Sequence, residues 1–195
     1  MIEYVTIPLG YLLSLDISEE KLNEAFKKFS CNLEEDLESF LVNKAIVYEK
    51  TEFGRTFLLL DKNKLNKDVF EILAFYTIGQ TTMDIAELNS KQHKKILGSY
   101  PGRDRLTNVP AYLIGQIGRS DKCSHDELSG DTILNECYST IKSANQIAGG
   151  RMIILECREK MFDKFYGNRG FHKMNKSLNE RNLFTLYKKI EFNKY

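Results

Sequence analysis

Residues 111–148, AYLIGQIGRSDKCSHDELSGDTILNECYSTIKSANQIA, contain the local pattern that decides the fold. The first eight residues form an apolar run typical of a strand, and a polar loop follows them. From Asp131 onwards apolar residues recur every three or four positions, which predicts a helix with one buried side that ends at Gly149-Gly150. Residues 152–157, MIILEC, predict a second buried strand. These elements, in this order, indicate an α/β domain.

The segments on either side extend this pattern into a whole domain. Upstream, the sequence predicts a helix over 19–30 capped by Asp16 or Ser18, a helix from Asn32 to Thr51, and two hairpin strands over 56–61 and 69–85. Residues 90–110 contain Pro101-Gly102, and we expect an exposed connection with little regular structure. Residues 158–170 predict a short helix closed by Gly170, and residues 182–192 predict a final strand. Two helices therefore precede any strand, and residues 1–195 are expected to form one domain with a mixed sheet.

The composition restricts the class of protein. The chain has 195 residues, of which 42% are hydrophobic, so it can bury a core without disulfides or a structural metal. Its four cysteines are widely spaced and form no C-x-x-C pair, so we expect free thiols and no metal site. The N-terminus lacks the basic segment of a signal peptide, and no stretch approaches the ~18 apolar residues of a membrane span. We therefore expect a cytoplasmic protein without a membrane segment.

Charge is distributed unevenly along the chain. Overall, 28 basic residues face 27 acidic ones, for a formal net charge of +1. Residues 1–100 contain 12 basic and 16 acidic residues (net −4), whereas residues 101–195 contain 16 and 11 (net +5). This asymmetry fits an ordinary solvated surface, and it also fits a polyanionic partner bound by the second half of the chain.

The loop HDELSGDT, residues 125–132, leads directly into the predicted helix. Backbone N–H groups at a helix start lack partners within the helix and carry the positive end of its dipole, so they can hold a phosphate. Gly130 would let the backbone approach such a group closely. The plainer interpretation is an ordinary loop glycine followed by an acidic residue, Asp131, in the first helical turn.

Residues 160–171, KMFDKFYGNRGF, follow the second buried strand, and their aromatic residues suit a core as well as a site. Together with the strand, loop and helix before them, they resemble the GNAT acyl-coenzyme A N-acyltransferases, whose last core element has the pattern FYxxxGF. The resemblance implies the GNAT fold: an α/β mixed sheet, flanked by helices, in which two parallel strands splay apart.

Within that superfamily the chain most resembles the GNAT toxins of bacterial toxin-antitoxin pairs. Residues 29–61 resemble the toxins' F-x-C-G-x-x-x-L-x-x-F-L segment and the strand after it, with Asn32 in place of the glycine. Residues 112–121, YLIGQIGRSD, resemble L-G-R-L-A-V-D. The family's phosphate loop, Q/R-x-x-G-x-G/A, aligns with His125, Leu128 and Gly130, so only its last fixed position is kept.

The resemblance implies an acetyl-coenzyme A-dependent N-acetyltransferase with a defined set of site residues. The backbone of Ile117, Gly118 and Arg119 would bind the pantetheine arm as an added strand would. A backbone N–H near Ile117 or Gly118 would stabilise the oxyanion. Tyr166 matches the tyrosine that supports the departing thiolate. The cofactor diphosphate would rest on the N–H groups of Leu128, Ser129, Gly130, Asp131 and Thr132.

The sequence offers no evident general base, and this bears on the acceptor. A lysine amine with a pKa of about 10.4 costs ~4.6 kcal/mol to deprotonate at pH 7, whereas an α-amine near 7.7 to 8.0 costs only ~1 kcal/mol. His93, His125 and His172 fit surface polar groups, and Glu156 can polarise a water or serve as an ordinary strand carboxylate. An α-amine acceptor therefore needs the least help from the protein.

The partners follow from the same resemblance. The toxins acetylate aminoacyl-tRNA, whose α-amine fits this requirement, and they pair with an antitoxin protein. A homodimer is a further expectation. There are two alternatives. The acceptor is a small-molecule or protein amine, or the chain is a binding protein of GNAT fold without catalytic activity. The basic residues expected to contact RNA phosphates are Arg103, Arg105, Arg151, Arg169, Lys173 and Lys176.

Overall fold

The computed structural model describes residues 2–15, 17–86 and 88–191. Seven strands form one mixed sheet in the order β1-β2-β3-β4-β5-β7-β6, with helices flanking it, so the predicted α/β fold class is confirmed. The splay of two parallel strands stays a prediction. The strands are β1 (Tyr4–Pro8), β2 (Arg55–Asp61), β3 (Ile72–Asp84), β4 (Asn108–Arg119), β5 (Met152–Cys157), β6 (His172–Lys173) and β7 (Phe184–Lys189).

Helices connect these strands. No helix in the described part of the chain is both long and apolar enough to cross a membrane. The helices are α1 (Leu9–Ser14), α2 (Glu19–Lys27), α3 (Glu35–Asn43), α4 (Ala45–Lys50), α5 (Lys62–Leu65), α6 (Ser90–Leu97), α7 (Gly130–Ala148) and α8 (Glu159–Met161).

The chain divides into two compact units. The first unit comprises residues 1–79 and 114–141, and its core includes Leu9, Phe26 and Phe75. The second comprises residues 80–113 and 142–195, and its core includes Met83 and Met152. The expectation of one acyltransferase domain over residues 1–195 stays a prediction.

The start of the chain differs from the sequence prediction, because a strand precedes every helix. Strand β1 pairs antiparallel with β2, from Tyr4 opposite Asp61 to Pro8 opposite Phe57. The strand has only five residues, and four of them are half-buried, so it shows no alternation of buried and exposed positions. The helix predicted from Asn32 is two helices, α3 and α4, since the backbone at Lys44 (φ −126°) leaves the helical conformation.

The structure also differs from the sequence prediction over residues 90–110. Instead of an irregular connection, they contain a regular helix, α6, and a short 3-10 turn at Arg103–Arg105. Asn89 caps α6: its side chain accepts hydrogen bonds from the backbone N–H groups of Lys91 and Gln92. The Gln92 side chain accepts in return from the Asn89 N–H at 3.0 Å. This reciprocal capping box was present in the sequence as N-x-x-Q and could have identified the helix.

The remaining predicted elements are confirmed in the part of the chain that the structure describes. The final strand, predicted over 182–192, is β7 (Phe184–Lys189), and residue 192 lies outside the described residues. Strand β5 has the predicted bounds, α7 starts one residue early at Gly130, and β2 and β3 form the predicted hairpin. Ser18 caps α2 by accepting from the Lys21 N–H, whereas the other candidate cap, Asp16, lies outside the described residues. The helical turns after β5 end at Gly170. Its φ of +79° lies in the left-handed region, which favours glycine.

Candidate active site

The carboxyl end of β4 is the first part of the candidate site. Ile117, Gly118 and Arg119 are partly exposed there. Gly118 has a packing role as well, because a Cβ at this position would collide with the Cδ1 atom of Leu37 on α3. The glycine therefore lets α3 lie directly against the strand.

The loop between β4 and α7 is held by hydrogen bonds at its start and in its middle. At its start, Ser120 donates its N–H to the Leu73 carbonyl oxygen at 2.8 Å. In its middle, the N–H and hydroxyl of Ser124 donate to the Glu127 carboxylate, and these bonds hold the pKa of Glu127 below its ordinary value. The loop is therefore held by specific hydrogen bonds before α7 begins.

The start of α7 is organised by Leu128 and Ser129. Leu128 is 2% exposed, and its N–H donates to the Ser124 carbonyl oxygen at 3.1 Å. The Ser129 hydroxyl oxygen accepts the N–H of Thr132 at 3.1 Å, which is the geometry of a helix N-cap. Thus, two of the five backbone groups predicted to hold the diphosphate, those of Leu128 and Thr132, already donate within the loop. Gly130 and Asp131 form the first residues of the helix.

Arg119 connects the end of β4 to the start of α7, both of which belong to the first unit. Its Nη1 atom donates to the carbonyl oxygen of Leu128 at 2.9 Å, so a guanidinium lies beside the residue that precedes the N-cap. The same charge acts on the buried Cys123, although burial of that thiol has the larger effect and raises its pKa. The sequence predicted only a backbone role for Arg119. Its side-chain contact depends on how nine residues of chain fold, and no local pattern signals it.

Tyr166 lies in the second unit, in the helical turns after β5. The residue is 5% exposed, and its ring makes edge-to-face contacts with Phe165 (5.0 Å between centroids) and Phe171 (5.4 Å). The Phe171 N–H donates to the Tyr166 carbonyl oxygen at 3.2 Å and closes the turn. The FYxxxGF pattern therefore builds an aromatic cluster that fixes the plane of the tyrosine ring.

Several of the predicted RNA-binding residues contact aromatic rings or backbone oxygens of the same unit. The Arg169 guanidinium lies 3.7 Å from the Phe165 ring centroid and donates to the Phe165 carbonyl oxygen. Lys173 lies 3.7 Å from the Phe184 ring centroid. Arg103 donates to the Gly98 carbonyl oxygen. Arg105 and Lys176 are exposed, and Arg151, the residue before β5, is partly exposed.

The other titratable candidates have structural surroundings. Glu156 accepts a hydrogen bond from Asn179 at 2.8 Å and pairs with Arg181 at 3.2 Å, so its carboxylate is engaged within the protein. Burial raises the pKa of the Cys157 thiol to about 11, which makes it a poor nucleophile near neutral pH. Burial, together with the nearby Lys95 ammonium, lowers the pKa of His172.

Comparison with solved structures defines the class of fold. The chain has the GNAT fold of toxins from toxin-antitoxin systems, and the predicted likeness to them is confirmed at the level of the fold. No protein-family model and no curated protein sequence matches the chain.

Three of these structures show how far the likeness extends. A structure described as a bacterial toxin matches with a TM-score of 0.72 and 14% identity, over 98% of this chain and 93% of the other. AtaT complexed with acetyl-methionyl-tRNAfMet matches at 0.66 and 19% identity, over 94% of each chain. A tyrosine-to-phenylalanine mutant of KacT matches at 0.68 and 18%, again over 94% of each.

Proposed function

We propose that the chain is an acetyl-coenzyme A-dependent N-acetyltransferase whose acceptor is the α-amine of an aminoacyl-tRNA. The observation that carries the proposal is the arrangement at the start of α7. An N-capped helix of 19 residues begins beside the Arg119 guanidinium at the end of a partly exposed strand. A helix start and a guanidinium both favour a diphosphate, which is the part of coenzyme A that needs charge compensation.

The solved relatives support the nature of the ligands. A tyrosine-to-phenylalanine mutant of AtaT has been solved bound to acetyl-coenzyme A and the C-terminus of the antitoxin AtaR, and AtaT has been solved with acetyl-methionyl-tRNAfMet. The structural likeness of this chain to those proteins makes acetyl-coenzyme A the natural donor and an aminoacyl-tRNA the natural acceptor to test. An antitoxin partner, a homodimer and a cytoplasmic location belong to the same proposal.

Each site residue then has a definite role. Acetyl-coenzyme A, when bound, supplies an activated acetyl group and a thiolate leaving group to an attacking amine. The backbone of Ile117 and Gly118 would orient the pantetheine arm and stabilise the oxyanion. The phenol of Tyr166 would donate a hydrogen bond to the departing thiolate. Full proton transfer from a phenol of pKa ~10 to a thiol of ~8.5 is uphill by ~2 kcal/mol, so a hydrogen bond suffices.

The test has two stages. Calorimetric titration with acetyl-coenzyme A should give one binding site per chain. Incubation with acetyl-coenzyme A and charged tRNA, followed by mass spectrometry, should detect an acetylated aminoacyl group. Free amino acids, small amines and a lysine peptide run in parallel would reveal the alternative acceptors. Acetylation confined to those controls would contradict the RNA acceptor while leaving acetyl transfer intact.

A binding protein without catalysis is the second candidate, and one observation favours it. Only Gly130 matches the family's phosphate loop, and the N–H groups of Leu128 and Thr132 donate within the protein. If the loop has lost its ligand, neither heat nor a thermal shift will appear at millimolar acetyl-coenzyme A. That result would replace the enzyme proposal with the binding-protein account.

A further inference from the structure

Leu128 occupies the position where the resembling phosphate loops have a glycine, and the structure holds it by three separate contacts. Its side chain is buried at 2% exposure. Its N–H donates to the Ser124 carbonyl oxygen at 3.1 Å. Its own carbonyl oxygen accepts from Arg119 Nη1 at 2.9 Å. The Leu128 side chain therefore belongs to the buried core.

The Arg119 contact differs from the other two, because it joins the end of β4 to the start of α7. Ser129, the next residue, caps the helix, so fixing the Leu128 carbonyl also fixes the peptide plane that contains the Ser129 N–H. The Ser129 N–H, one of the groups predicted to hold the diphosphate, is therefore oriented by a side chain from the end of β4. A flexible loop would have to be ordered on binding, and that ordering would lower affinity.

We propose that Arg119 is a positioning residue for the coenzyme A diphosphate, acting through the Leu128 carbonyl. This inference rests on the proposed function. The guanidinium holds the Leu128 peptide in one arrangement and keeps a positive charge near the helix start. Arg119 thus contributes through its side chain as well as through the strand backbone.

Lys122 provides a matched control in the same loop. Its Nζ atom also donates to a backbone carbonyl oxygen, that of Lys28 at 2.6 Å, but this bond leads away from α7 to the end of α2. Lys122→Met therefore removes one positive charge and one tether from the same loop without releasing Leu128. If the effect came from the net charge of the loop, the Lys122 and Arg119 variants would both weaken binding.

The experiment measures binding of two ligands to the full chain. Coenzyme A is titrated by calorimetry, and pantetheine, which lacks the nucleotide diphosphate, is titrated by NMR chemical shifts. Arg119→Met, which keeps an aliphatic stem, should weaken coenzyme A binding by at least ~10-fold, since hydrogen bonds from charged groups are the stronger ones. Pantetheine binding should change by less than ~2-fold, and Lys122→Met should bind coenzyme A within ~2-fold of wild type. Arg119→Lys, which keeps a positive charge and can still donate to a carbonyl oxygen, should recover part of the loss.

The outcomes separate this inference from the proposed function. If wild-type protein binds no coenzyme A, the proposed function fails and the inference fails with it. If wild type binds but Arg119→Met binds equally well, only the inference is overturned. Equal weakening by Lys122→Met, or parallel loss of pantetheine binding, would also overturn it, because either result indicates a general charge or folding effect. Should Arg119→Met not fold, Arg119→Ala is measured against the same criteria, and failure of both to fold assigns Arg119 to folding and overturns the inference.

Discussion

The phenol of Tyr166 is buried between Phe165 and Phe171, so its orientation is set before any ligand binds. If Tyr166 acts only as the thiolate leaves, Tyr166→Phe should lower turnover by at least ~10-fold, equivalent to ~1.4 kcal/mol of transition-state stabilisation. Affinity for acetyl-coenzyme A should change little, because the lost bond forms after binding. Release of free thiol during acetyl transfer, together with calorimetric titration, measures both quantities.

Tyr112 is the matched control for this substitution. It is another buried tyrosine of the second unit, and its hydroxyl donates to the Gly149 carbonyl oxygen at 2.5 Å. Tyr112→Phe should cost about 1 kcal/mol of stability and leave turnover unchanged. Equal turnover in wild type and Tyr166→Phe would remove Tyr166 from the mechanism, whatever the stability of the variant.

At the scale of elements, the sequence predicted the helices and strands whose hydrophobic pattern is long and lies within one segment of the chain. The stripe of apolar residues in α7 and the six-residue apolar run of β5 needed no tertiary information. Strand β1 was missed because its five residues gain their structure by pairing with β2, about fifty residues later. In the candidate site, the loop and Tyr166 could be identified from motifs. The Arg119 contact could not, because it depends on how the loop returns to the strand.

The close packing of α3 on β4 predicts how substitutions at their contact change the stability of the fold. Gly118→Ala should destabilise the fold by ~1–3 kcal/mol, because the added Cβ collides with Leu37. Leu37→Ala alone should cost ~2–4 kcal/mol through loss of buried surface. In the double variant the new methyl group enters the vacated space, so the combined loss should be smaller than the sum by at least ~0.5 kcal/mol. Urea unfolding of the four proteins measures this coupling, and strict additivity would contradict direct contact.

At the scale of the whole molecule, the expected free thiols are confirmed: Cys31, Cys123, Cys137 and Cys157 are all unpaired and buried. Burial raises the pKa of each of these thiols, and it also raises the pKa of the Tyr76 phenol. The groups belong to both compact units, so their titration affects the stability of each unit.

These shifts predict unfolding by base. Each group stays protonated in the folded chain, whereas in the unfolded chain a thiol loses its proton near pH 8.5. The unfolded state then binds fewer protons, so stability is fully present below about pH 8.5 and falls as pH rises towards the folded values, about 11 for Cys157. Thermal melts should give a constant Tm between pH 7 and 8 and a steady decrease from pH 9 to 11. Cys157→Ala should lower Tm at pH 7 through the cavity it leaves, yet lose less between pH 9 and 11 than wild type does. An identical pH dependence in the two proteins would show that this thiol stays neutral in the unfolded chain as well, or ionises equally in both states.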